Sequence, residues 1–241
     1  MSALRHFKVL LFPIACGSLT AAPLVHWQFE FAEAGSDSIA SVSDSGITLS
    51  QSEAKQRPDA ARSADDNVAT ARFRRNQADC LSSGNSVAAF SFAAKEAFTI
   101  EGVFNAASLA EGHIYTIVSN RGASRGNLGW SIAIDGESNL TFMVDDQIAQ
   151  GPIAVVGRRN LQIGGWYFFS ASREPTGRLC LTVLDWAGVY VRADSGEQRA
   201  AGALGTDSRT YIARQGQSPA NYFDGYIKEI RISTGVRSFK N

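Results

Sequence analysis

The sequence predicts an all-β protein, an antiparallel β-sandwich or jelly roll. Three observations carry that expectation. Apolar residues alternate with polar ones in many short runs, turn signals separate the runs, and no sustained 3.6-residue period follows the amino terminus. The chain has 241 residues, 44% of them hydrophobic, with 14 Phe, 6 Tyr, 4 Trp and 22 Gly but only 6 Pro. That is too apolar for a disordered chain and suits a core with many tight turns. Lys and Arg total 23 against 23 Asp and Glu, so the formal net charge is zero. No broad basic face is offered to nucleic acid or to an anionic membrane.

Residues 1–21 read as a secretory signal. Arg5 and Lys8 precede an apolar run from Val9 to Ala15, and small residues lead to Ala21 and Ala22. Cleavage after Ala21 is preferred, because Pro23 makes the bond after Ala22 a poorer site. The apolar run is too short to span a bilayer, and no later charge-free segment reaches the roughly 20 residues required. The expected product is one domain over 22–241, secreted or held in the periplasm or cell envelope, with no stable membrane span. Cys16 stands where a lipoprotein carries its lipidated cysteine, but Pro13 replaces the usual Leu, so lipidation is the minor alternative. Loss of the signal leaves Cys80 and Cys180, which an oxidising compartment could hold as a disulfide or as two buried thiols.

The predicted strands run over 98–104, 113–119, 130–134, 140–144, 166–172, 178–184, 189–192, 209–213 and 222–232. Asp135-Gly136, Gly164-Gly165, Pro175-Thr176-Gly177 and Gly216-Gln217-Ser218-Pro219 mark turns between them. The charge-rich stretch 53–79 reads as a solvated excursion, and its Arg72-Phe73-Arg74-Arg75 cluster as a solvated face or strand, with an anion site the minor alternative.

Catalytic constellations are missing from the linear sequence. The three histidines are His6, His26 and His113; the first leaves with the signal, and the other two read as ordinary strand positions. There is no His-Glu-x-x-His, no Gly-x-Ser-x-Gly and no phosphate-binding loop. Glu229 has no second acid two residues away on its strand, and Asp145 and Asp146 would point to opposite faces. Acids from distant strands could still meet, which keeps a glycan-active hydrolase or lyase as the alternative function.

Four segments in order resemble the laminin-G-like jelly rolls of the concanavalin A-like lectin and glucanase superfamily. They are Leu24-Val25-His26-Trp27-Gln28-Phe29-Glu30, Asp44-Ser45-Gly46, Phe98-Thr99-Ile100-Glu101-Gly102-Val103-Phe104, and Phe223-Asp224-Gly225-Tyr226-Ile227-Lys228-Glu229-Ile230-Arg231-Ile232. The resemblance implies a concanavalin A-like sandwich acting as a non-catalytic binding or adhesion module for a glycan or an extracellular protein. A structural envelope or matrix component is the third reading. It also implies a structural calcium, with Glu30 and Asp224 as oxygen ligands, although Lys228 replaces a frequent Asp of the closing strand. On this fold most aromatics belong to the core, Phe29, Phe98, Phe168 and Trp166 among them. The rim loop before Trp130 supplies the candidate ligand site: Asn120, Arg121 and Arg125 for hydrogen bonds and Trp130 for stacking on a sugar. The other reading of that loop is a turn leading into a core Trp.

Overall fold

The computed structural model describes residues 23–29, 38–43, 45–51, 59–62, 69–84, 88–121, 128–146, 148–149, 151–205, 209–216 and 221–237. Among these, sixteen strands follow one another: β1 (Pro23–Gln28), β2 (Ser38–Ala40), β3 (Thr48–Gln51), β4 (Asp59–Arg62), β5 (Ala69–Phe73), β6 (Leu81–Ser82), β7 (Phe98–Ala106), β8 (Tyr115–Ser119), β9 (Gly129–Ile134), β10 (Leu140–Asp145), β11 (Ile153–Val156), β12 (Trp166–Arg173), β13 (Leu179–Asp185), β14 (Tyr190–Asp194), β15 (Tyr211–Ile212) and β16 (Gly225–Thr234). Two short 3-10 turns, Arg75–Gln77 and Ala88–Phe90, are the helical elements found.

The strands form two antiparallel sheets packed as a jelly-roll sandwich, the predicted fold class. The first sheet runs β14-β13-β12-β7-β16-β5-β4, with β1 pairing β16 as well. The free side of β16 is shared: Gly225, Tyr226 and Ile227 pair with β5, and Glu229 to Ser233 pair with β1. A bulge at Lys228 separates the two halves and shifts the register against β7. The second sheet runs β11-β10-β9-β8-β15-β6-β3-β2.

Alternation decides which side chains fill the space between the sheets. Phe98, Ile100 and Phe104 of β7, Tyr167 and Phe169 of β12, Leu179, Leu181 and Val183 of β13, and Ile227, Ile230 and Ile232 of β16 all join the core. They meet Trp130, Ile132, Leu140, Phe142 and Val144 of the second sheet. Gly102 is an inward position of β7 that must stay small. A Cβ there would stand 2.7 Å from both Ile230 Cδ1 and Phe169 Cε1.

Several expectations need correction. Phe168 and Trp166 face outward, because β12 turns Tyr167 and Phe169 inward and period two then puts their neighbours on the other side. His113 does not open a strand. Gly112, at φ 75°, bonds Gly136 of the next hairpin, and β8 begins only at Tyr115. The stretch 53–79 is more than a solvated excursion, since it supplies β4 and β5, and Ala71 and Phe73 enter the core. Of the two readings left open for Cys80 and Cys180, the structure has the buried thiols. Cys80 precedes β6 in the second sheet, whereas Cys180 lies on β13, which packs against β10 and β11 at the other end of that sheet.

Candidate ligand-binding face

Strand register lays out the outward face of the first sheet in rows. One row reads Arg192, Thr182, Ser170, Glu101, Arg231 and His26 across β14, β13, β12, β7, β16 and β1. The next reads Tyr190, Leu184, Phe168, Val103, Glu229 and Gln28. A polar row, in which Thr182, Ser170, Glu101 and His26 are themselves buried and Arg192 and Arg231 reach the surface, therefore runs beside a row that is apolar over its first four positions. Such a surface suits a ligand with an apolar face and polar edges.

The polar row ends in a charged network. Arg231 NH2 lies 3.3 Å from His26 Nδ1, and His26 Nε2 lies 3.0 Å from Glu229 Oε2. Arginine can only donate, so Nδ1 accepts, and Nε2 carries the proton that it donates to Glu229. Glu101, 4% exposed, sits beside Arg237 Nε at 3.4 Å and Arg231 NH1 at 3.9 Å. Glu101 and Glu229 occupy diagonal positions of neighbouring strands, a step of about 7–8 Å between Cα atoms. Their environments push them apart. Burial raises the Glu101 carboxyl above the usual range, offset only in part by Arg237 and Arg231, and Glu229 adds repulsion. Burial also opposes ionisation of Glu229, but the hydrogen bond and electrostatic pull of the His26 imidazole, with the positive charges of Arg231 and Lys228, outweigh it and hold that carboxyl below the usual range.

Opposite shifts give opposite linkage. A carboxyl held low contributes stability that is present above its unfolded pKa and lost as pH falls through the folded one. A carboxyl held high costs stability once ionised and returns it on acidification. Between about pH 6 and about pH 3, Glu229→Gln is therefore expected to lose less stability than the parent, and Glu101→Gln more. Urea midpoints at the two pH values check this; equal losses in all three proteins would contradict it.

Of the residues expected to bind a ligand, the described ones, Asn120, Arg121 and Trp130, are held in other contacts. Trp130 is 0% exposed and packs in the core, so it offers no open face for stacking. Asn120 is buried beneath it: its Oδ1 accepts from Trp130 N at 2.9 Å, and its Nδ2 donates to Phe90 O at 3.3 Å. Arg121 is paired with Asp145 at 3.0 Å. Arg125 and Glu30 lie outside the described residues, as do residues 1–22 with Cys16. Asp224 accepts from Arg72 NH2 at 2.7 Å and from Ser108 Oγ at 3.0 Å. Both its oxygens already accept, and the guanidinium on Oδ1, which also stacks 5.1 Å from the Tyr226 ring centre, supplies a positive charge that a calcium ion would have to compete with. Asp224 does not fit a ready calcium ligand. The melting temperature is accordingly expected to be the same in millimolar calcium and in chelator, and a rise that Asp224→Ala abolishes would overturn this.

The glutamate pair and its histidine escaped the linear reading because strand pairing, not spacing, joins them. The available signal was polar alternation, Thr99, Glu101 and Asn105 in one strand and Glu229 and Arg231 in another.

The two-sheet architecture defines a jelly-roll sandwich domain, and solved structures share it. The chain is similar to the binding domain of Paraclostridial Mosquitocidal Protein 1, with 15% identity and a TM-score of 0.64. It is also similar to domain 4 of AbnA, a GH43 extracellular arabinanase from Geobacillus stearothermophilus solved with arabinotriose, with 14% identity and a TM-score of 0.59. The receptor binding domain of botulinum neurotoxin mosaic serotype C/D aligns with 12% identity and a TM-score of 0.59. Each alignment covers 90% of this chain, and respectively 49%, 94% and 48% of those chains. The chain thus spans about half the length of the mosquitocidal-protein and neurotoxin binding domains and nearly all of the arabinanase domain. At such identities the likeness is one of fold. No protein-family model matches the sequence, and no curated protein matches it.

Proposed function

We propose that the chain is an exported, non-catalytic binding module whose ligand, a glycan or an extracellular protein, lies on the outward face of the first sheet. The observation that carries this is the pairing of the apolar row Tyr190, Leu184, Phe168 and Val103 with the polar row beside it. The fold neighbours support the reading, since one was solved with arabinotriose, one is the binding domain of a mosquitocidal protein and one is the receptor binding domain of a botulinum neurotoxin. Export rests on the signal pattern of residues 1–21 and gives a secreted, periplasmic or envelope location. Among the described residues no helix is long and apolar enough to cross a membrane. The laminin-G-like assignment belongs to the same proposal and rests on the order of the four motifs. The full chain is tested on a glycan array and against purified extracellular proteins. Saturable binding to one of them is expected. Flat signals on both would overturn the reading in favour of a structural envelope or matrix component.

A second reading, a glycan hydrolase, is favoured by one observation, the two carboxyls of opposite shift on neighbouring strands. Against it, Glu101 is buried and faces two arginines. New reducing ends in a mixed polysaccharide digest, abolished by both Glu101→Gln and Glu229→Gln, would establish this reading.

A further inference from the structure

Three of the four tryptophans are hidden. Trp27 and Trp130 are 0% exposed and Trp166 is 5% exposed, whereas Trp186 is 49% exposed. Tyr190, at 43%, is the exposed tyrosine among the described residues, and the two stand four positions apart in the β13–β14 hairpin with Val189 exposed between them. Trp186 and Tyr190 thus put exposed aromatic surface on one hairpin, and exposed apolar surface on a folded domain is the informative case.

The hairpin is held firmly. Asp185 donates its N–H to Val189 O at 3.1 Å, while its own carbonyl accepts from Gly188 N at 2.9 Å. Its Oδ1 accepts from Val189 N at 2.8 Å, and its Oδ2 pairs with Arg158 NH2 at 2.8 Å. Trp186 N donates to Trp166 O at 3.1 Å, tying the turn to β12. Gly188, at φ 82°, supplies the left-handed residue that the turn needs. A turn anchored at this many points presents Trp186 with little ordering left to lose on binding.

Polar groups flank the aromatics. Arg192 follows Tyr190 by two residues on the same outward face, is exposed, and reaches Cys180 Sγ at 3.8 Å. Asp194 comes two residues later, paired with Arg178. The apolar patch is therefore small and bounded by charge along the strand, unlike the broad apolar core of a stable dimer interface. Its chemistry is that of a saccharide ring, whose C–H face lies on an aromatic ring and whose hydroxyls accept from a guanidinium.

We propose that Trp186 and Tyr190 form a stacking subsite for a saccharide ring, with Arg192 as the hydrogen-bond donor at its edge. The inference rests on the binding-module reading and names its ligand class and its site. It is tested with the full chain against soluble arabinan, xylan, mixed-linkage β-glucan and a sulfated glycosaminoglycan, by affinity electrophoresis and tryptophan emission. At least one polysaccharide is expected to retard the protein. Trp186→Ala and Tyr190→Ala should each weaken that binding about tenfold, and Trp186→Phe should restore most of it. Because the other three tryptophans are buried, a blue shift of emission on saccharide binding should vanish in Trp186→Phe. Retardation that survives the double alanine variant overturns the subsite and leaves the module reading standing on another part of the face. Retardation by none of the polysaccharides overturns the subsite and leaves the module reading only its protein ligands. Concentration-dependent dimerisation lost in Trp186→Ala would assign the patch to a second copy of the chain and overturn the saccharide.

Discussion

Replacing Arg173 by leucine is expected to cost the fold about 3–5 kcal/mol. The arginine is fully buried at the end of β12 and stands 5.1 Å from the Phe98 ring centre. Its donors are spent on backbone carbonyls: Nε on Glu96 O at 3.0 Å, NH1 on Gly202 O at 2.8 Å, and NH2 on Ala93 O at 2.8 Å and Glu96 O at 2.7 Å. It thereby pins the 91–97 and 200–204 loops to the first sheet. Asp146, whose Oδ2 accepts from Gly202 N at 2.7 Å, completes the site from the second sheet. Burial lowers the Arg173 pKa to about 10, against the opposing charges of Asp146 and Glu96. Leucine would keep the apolar contact but leave several buried carbonyls without donors and Asp146 without its cation. Lysine is expected to fail too, since one ammonium cannot reach both loops as a planar guanidinium does. Denaturant titration checks both variants. A loss below about 1 kcal/mol for Arg173→Leu would contradict this account of the loops.

Trp130→Ala is expected to cost a further class of stability, about 3–5 kcal/mol, through the cavity left in the core. Trp186→Ala should change stability by no more than about 0.5 kcal/mol, because nearly half of that side chain is already in water. The contrast separates a tryptophan that holds the sandwich together from one that the sandwich displays. Urea midpoints of the two variants decide it, and a Trp186→Ala loss equal to that of Trp130→Ala would show that the hairpin aromatic is structural.

How far the sequence could be read follows from the kind of information each feature needs. Period two in Phe98-Thr99-Ile100-Glu101 and Leu179-Cys180-Leu181-Thr182 is local, so those strands and their inward residues were legible. In Trp166-Tyr167-Phe168-Phe169 both parities are aromatic, and the choice of face needed the neighbouring strands. β4 and β5 hid in a charged stretch, because Arg72 is drawn into the sheet by Asp224 and Tyr226, partners distant in the chain. The polar composition before Trp130 was legible, but not the direction its side chains take. Asn120 there turns inward to cap Trp130 N and Phe90 O. Trp186 carried a usable signal in Asp185-Trp186-Ala187-Gly188, a tight turn between two strands that leaves its apolar residue at the tip.

The central claim, that the ligand lies on the outward face of the first sheet, is tested most directly by placing the same charge on each face of the sandwich. Leu184 of β13 and Met143 of β10 are both partly exposed outward positions, one on each sheet. Titration of the ligand that the parent protein binds is predicted to show a loss of tenfold or more, about 1.4 kcal/mol, for Leu184→Glu and an unchanged affinity for Met143→Glu. Equal affinities for the parent and Leu184→Glu, or a loss confined to Met143→Glu, would contradict the claim.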